Sequence, residues 1–236
     1  MADIKVMSAG AVQAMVTALG GEFERASGHK LNLNFGTAGS LRERFKGGEI
    51  PDLLILSASI MEALDNEGAF VPDSRTDLGR TVTGVAVKEG AVAPDISTPE
   101  AFKQALLNAR SVAYTDPKAG GSSGTFFAAL LEKLGIADAV AKKAVLGKRG
   151  FEVAESIAAG EAEIGTTFIS EILTVKGVRV VGPLPGALYN VNTYTAAIPA
   201  GCSARDGAAA LLRALTNPAH ATRWTAAGLE PAFPVG

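Results

Sequence analysis

Short apolar runs alternate with amphipathic segments from one end of the chain to the other, and this alternation limits the available folds more than any other feature. "IKVMSA" is followed by "AVQAMVTALGGEFERAS", "KLNLNFG" by "SLRERFKGG", and "DLLILSA" by "IMEALDNEG". The first member of each pair is apolar continuously or at alternate positions, as a strand is; the second repeats its apolar residues every three to four, as a helix does. A helix after each strand carries the chain back so that the next strand lies parallel, which predicts βαβ units and a mostly parallel sheet. "RSVAYT", a helix over roughly 125–134, "KAVLG", "FEVAESIAAG" and "AEIGTTF" repeat the rhythm and predict a second α/β sheet.

Two strand-like segments interrupt it, "TVTGVAVKEG" at 81–90 and "YNVNTYTAAIPAG" at 189–201. They fit two crossovers between domains. The helical tail "ARDGAAALLRALTNPAHATRWTAAGLEP" then needs an apolar partner, and the first sheet is the one still open. The expected organisation is a discontinuous first domain, 1–83 plus 195–236, and a second domain, 84–194, joined by a two-strand hinge around a cleft suited to ligand capture.

Composition narrows the function. A 47% hydrophobic content against 19% charge supports packed cores and excludes a disordered chain. A net charge of -2, without a Lys/Arg run, argues against nucleic acid as a partner. Cys202 is the sole cysteine and His29 and His220 the sole histidines, so neither an internal disulfide nor a His/Cys metal site is expected, and no cofactor is implied. No apolar run reaches the roughly 18 residues of a membrane-spanning helix, so membrane insertion is not expected. The opening "MADIKVMSAG" has no leader pattern. That suits a cytoplasmic chain, or a periplasmic one if Met1 is an addition to a mature chain starting at Ala2.

Ligands of open α/β sheets sit beyond the carboxyl ends of the strands. This rule selects "SAGA" with Ser8 and Ala9, "GTAGS" with Thr37, Gly39 and Ser40, "SAS" at 57–59, "GGSSGT" with Ser122, Ser123, Gly124 and Thr125, "KRG" with Arg149 and Gly150, and "TTFISE" with Thr167, Phe168 and Glu171. Small hydroxyl and glycine residues at helix starts offer N–H groups and a positive dipole end to an anion. They also serve as ordinary helix caps. For "GGSSGT" the binding reading is preferred, because a cap needs one hydroxyl and no tandem glycines; the Gly-Lys-[Ser/Thr] ending of a nucleotide loop is absent. Arg149 is either a solvated side chain or an anion clamp. Glu171 either stabilises the first turn of a helix capped by Ser170 or serves as a proton-transfer base. Asp116 in "TDPK" reads as a turn residue, and neither histidine lies near these loops, so Ser-His catalysis has no support.

The ordered set "SAGAV", "FGTAGSLRERFKGGEIPDLLILSAS", "YTDP", "LLEKLG" and "AAGEAEIGTTFISEI" resembles the molybdate-binding periplasmic proteins, the solute receptors of ABC importers. The resemblance implies a two-lobed type II periplasmic-binding fold, a small anionic ligand, a periplasmic location and, if the chain is exported, an ABC permease as partner. It also implies ligand hydroxyls at positions occupied here by Ala11, by the 37–39 segment and by Phe168, with main-chain donors at Ser123, Gly124 and Gly150. Loss of hydroxyls at these positions argues against molybdate. The chain is similar overall to aconitate isomerase as well. Three functions follow as expectations: binding of a di- or tricarboxylate, isomerisation of an unsaturated polycarboxylate with Glu171 as base, and a molybdate or tungstate receptor.

Overall fold

The computed structural model describes residues 1–235. In chain order the elements are β1 (Asp3–Ala9), α1 (Gln13–Ser27), β2 (Lys30–Gly36), α2 (Ala38–Lys46), β3 (Leu53–Ser57), α3 (Ala58–Asn66) and the long β4 (Thr76–Lys88). Then come α4 (Pro99–Asn108), β5 (Val112–Thr115), α5 (Ser122–Lys133), α6 (Ala137–Ala141), β6 (Ala144–Gly147), α7 (Gly150–Ala159), β7 (Ile164–Phe168), α8 (Ile169–Ile172) and β8 (Val178–Pro183). β9 (Val191–Ala197), α9 (Arg205–Leu215), α10 (Ala221–Ala226) and β10 (Glu230–Pro231) close the chain. Two compact units result, Met1–Arg80 with Asn192–Gly236, and Thr81–Val191. β4 contributes its first residues to one unit and the remainder to the other.

In the first unit β1 pairs in parallel with β2 and β3, and β9 pairs antiparallel with β3, so the returning crossover finishes a parallel ladder. β3, "LLILS", is buried at every position, as a strand with helices on both faces must be. Asp52, just ahead of it, is buried too. Its carboxylate accepts the N–H of Lys5, the N–H and hydroxyl of Ser203 and the N–H of Ala204, tying β1 to the start of α9. α9 packs on α1, and a Cβ at Gly207 would come within 2.9 Å of Ile4, so glycine there lets the tail helix lie close on β1. Trp224 is fully buried, donates its indole N–H to the Leu215 carbonyl and meets the Phe233 ring edge-on.

The second unit repeats the plan. β5 pairs in parallel with β6 and β7, while β4 lies antiparallel to β7 and β8. Val85, Phe102, Leu106, Tyr114, Phe127 and Leu131 belong to one core cluster, with residues of α4 and α5; Ala86, Ala113, Val153, Ile157 and Ile172 belong to another, with residues of α7 and α8. Both faces of the sheet are therefore covered. The parallel ladder alone fixes a direction: β5, β6 and β7 all deliver their carboxyl ends to the same edge, where α5, α7 and α8 begin.

Candidate functional site

At that edge of the second unit, β5 ends at Thr115 and the chain turns sharply. Asp116 accepts the N–H of Lys118 at 2.9 Å and so opens the 3₁₀ turn Pro117–Ala119, which Gly120 ends at φ +74°. α5 then starts at Ser122, three residues earlier than the sequence pattern suggests, with Gly121 as its N-cap and no capping side chain among the described residues. A Cβ on Gly124 would stand 2.4 Å from the Thr115 carbonyl oxygen. Glycine at 124 is thus required for α5 to begin against the end of β5, and this close approach keeps an apparent loop in the first helical turn. Ser123, 4% exposed, shares a 3.2 Å hydrogen bond with the Thr115 hydroxyl, and Thr125 donates its hydroxyl to the Gly121 carbonyl. Ser122 stands half-buried at the first position of the helix.

α7 begins beside it, with Arg149 as N-cap. The Arg149 guanidinium does not extend freely: it bonds Glu152 at 3.1 Å and stacks over Phe151 at 4.4 Å. Glu152 also accepts the N–H of Lys148 at 2.8 Å, a reach back from the first turn that satisfies a donor ahead of the helix. Burial opposes ionisation of Glu152, but these N–H groups and the adjacent guanidinium outweigh it and hold the carboxyl below its usual range.

Glu171 provides the most distinctive chemistry on this edge. It is buried, its carboxylate accepts the Thr167 hydroxyl at 3.0 Å, and it lies against Gly150, the first residue of α7. Burial pushes its carboxyl up to about 7, and the Thr167 hydroxyl and the nearby Gly150 N–H offset only part of that effect. A Cβ at Gly150 would lie 1.8 Å from Oε2 of Glu171, so the absence of a side chain at 150 makes the room that the carboxylate fills. The sequence leaves Glu171 either as support for the first turn of a helix capped by Ser170 or as a proton-transfer base. Phe168, not Ser170, is the N-cap of α8; Ser170 lies inside the helix, and Glu171 stands in its first turn with the carboxylate against Gly150 of α7. Ser170 gives its N–H to the Thr81 hydroxyl at 3.4 Å; its own hydroxyl and that of Thr166 are buried without a hydrogen-bond partner among the described residues.

In the first unit the parallel pairing sets Ala9 opposite Gly36, so the turns after β1 and β2 are neighbours. Ser8 is buried and donates to the Ala9 carbonyl at 3.2 Å; Ala9 and Ala11 are buried, Ala11 within the 3₁₀ turn Gly10–Val12. Thr37 caps α2 by accepting the Ser40 N–H at 3.2 Å, and Ser40 returns its hydroxyl to the Thr37 carbonyl. Gly39 sits in that first helical turn. These two hydroxyls therefore perform the ordinary capping role locally. The structure adds Thr115 as the partner of Ser123; its position as the last strand residue before Asp-Pro is the signal that could have pointed to it.

A family model described as "Bacterial extracellular solute-binding protein" matches residues 4–230, and the chain belongs to that family. Within it, the chain is 30% identical over 237 residues to the aconitate isomerase of a Pseudomonas species, spanning 97% of this chain and 87% of the relative. It is 27% identical over 231 residues to the molybdate-binding protein ModA of Azotobacter vinelandii, spanning 92% and 85%. The solved periplasmic molybdate-binding protein of Azotobacter vinelandii superimposes with a TM-score of 0.73 at 21% identity, covering 96% of this chain and 98% of that one, which supports the type II periplasmic-binding fold. No helix among the described residues is long and apolar enough to cross a membrane.

Proposed function

We propose that the chain binds a small organic polyanion of the di- or tricarboxylate class. The observation that carries this reading is the strand edge of the second unit, where α5 and α7 both begin without a capping side chain of their own and Glu171 stands beside them. The uncapped start of α5 and the dipole ends of the two helices favour an anion. A carboxyl group among those donors disfavours a compact dianion such as molybdate, whose charge would be concentrated next to it, and suits a ligand with several separated carboxylates. Buried Ala11 and Phe168 supply no side-chain hydroxyl where the molybdate-binding resemblance calls for one. Ser122, Ser123, Gly124, Thr125, Gly150 and Thr167 are the residues of the second unit proposed to hold the ligand. As a member of an extracellular solute-binding family, the exported chain would reside in the periplasm and pass its ligand to an ABC permease.

A second reading, isomerisation of an unsaturated tricarboxylate, is favoured by the 30% identity with aconitate isomerase over nearly the whole chain. In it Glu171 carries the migrating proton, taking it from one allylic carbon and returning it to the other as the double bond shifts. Fold alone does not choose between binding and turnover. Incubation with cis-aconitate, followed by proton NMR, separates them: appearance of the trans isomer establishes turnover, whereas saturable ligand shifts without conversion establish binding alone. Neither signal would defeat both readings.

A further inference from the structure

In the first unit, α3 begins with its positive end uncompensated by the protein. α2 is capped by the Thr37 hydroxyl, and the Asp52 carboxylate takes the N–H groups of Ser203 and Ala204 ahead of α9. At α3 the N-cap is Ser57, whose side chain makes no capping bond, and the first turn carries no acidic residue. The leading N–H groups of this helix, from Ala58 onward, are left in want of an acceptor.

Two polar side chains without partners stand at the same place. Ser57 is only 3% exposed, and its hydroxyl has no hydrogen-bond partner among the described residues. The side-chain amide nitrogen of Asn192, on β9, is also buried without a partner among them. The β3–β9 register brings the two together. Ser57 lies opposite Tyr194; paired residues of an antiparallel ladder share a face, and so do residues two apart on one strand. Asn192 is thus the diagonal neighbour of Ser57 on that face, roughly 7 Å away, at the end of β3 where α3 starts. A buried hydroxyl and a buried amide left unpaired are costly to the fold, and both point to an acceptor supplied by a ligand.

We propose that the start of α3 is a binding site for a carboxylate group, with the Ser57 hydroxyl and the Asn192 amide as side-chain donors and the N–H groups of Ala58 and Ser59 as main-chain donors. All four residues belong to the first unit, so the site is separate from the second-unit edge to which the polycarboxylate reading belongs. The two oxygens of one carboxylate, each at hydrogen-bond distance from a donor, bridge a gap of roughly 7 Å. So few neutral donors suit that group better than a tetrahedral oxyanion, whose four oxygens would not all be paired. Ala58 is half-buried and Ser59 exposed, which gives the ligand a way in along the helix start.

The test titrates the full chain, isotopically labelled, with sodium acetate and follows its amide NMR signals, with sodium chloride at equal ionic strength as the control. Saturable shifts of the Ala58 and Ser59 N–H signals and of the Asn192 side-chain amide are expected with acetate and not with chloride. The acetate affinity, read at Ala58, should fall by about five- to tenfold in Ser57→Ala and in Asn192→Ala. Equal shifts with chloride, no saturable shift at these signals, or an affinity unchanged in both variants would each overturn the site. Urea unfolding separates binding from capping. Because the Ser57 hydroxyl caps nothing, Ser57→Ala should keep the wild-type midpoint; a lowered midpoint with unchanged acetate affinity would make Ser57 a helix cap and overturn the proposal.

Discussion

Replacing Glu171 by glutamine should make the protein more stable at alkaline pH and leave it nearly unchanged in mild acid. The carboxyl is raised from 4.5 to about 7 in the folded state. Between those values the folded protein holds a proton that the unfolded chain has released, so native stability falls as pH rises through this window. A displacement of about 2.5 pH units at about 1.36 kcal/mol each gives a loss of about 3 kcal/mol by pH 8. Glutamine keeps the shape and an oxygen acceptor for the Thr167 hydroxyl but never ionises. Urea unfolding of wild type and Glu171→Gln at pH 4.5, 6, 7 and 8 measures the difference. The expected gap is within about 0.5 kcal/mol at pH 4.5 and opens to about 3 kcal/mol in favour of glutamine at pH 8. A gap independent of pH would refute the reasoning, because it would mean that Glu171 ionises as freely in the native state as in the unfolded chain.

Other expectations concern packing, acid stability, turnover and ligand choice. Gly150→Ala places a methyl group on the Glu171 carboxylate and should cost several kcal/mol by displacing it, read as a lowered urea midpoint. Asp52→Ala should cost about 3 kcal/mol, since it leaves three N–H groups and a hydroxyl unpaired. In wild type, burial opposes ionisation of Asp52, but the N–H groups of Lys5, Ala204 and Ser203 with the Ser203 hydroxyl hold its carboxyl below the usual 3.8. Its contribution is therefore present above pH 3.8 and lost as pH falls through the depressed value, and the variant should lose less stability there. If the protein turns over aconitate, Glu171→Gln should lower the rate by about 10² to 10⁴.

Much of the fold is legible in the sequence because the strands carry their environment in their composition. "DLLILSA" is apolar without interruption, and β3 is buried on both faces. Elements whose environment depends on distant partners were less visible. β4 begins at Thr76, ahead of the 81–90 run, because "TDLGR" reads as polar and glycine-broken until β10 pairs with Gly79 and Arg80. β8, "VRVVGP", is half-exposed and short, and it is recognisable only through its ladder with β4. In the site, the turn role of Asp116 is local and follows from Asp-Pro alone. Glu171 stands out by residue type and position, but its partner does not: the contact with Gly150 depends on α7 and α8 packing together across about twenty residues of chain, and no local pattern encodes it.

Parallel calorimetric titration with tricarballylate and with molybdate at pH 6 tests the central claim most directly. The account predicts saturable heat with tricarballylate at one per chain and little or none with molybdate, since Ala11 and Phe168 bring no side-chain hydroxyl to an oxyanion. Sub-micromolar molybdate affinity together with no response to the tricarboxylate would contradict it.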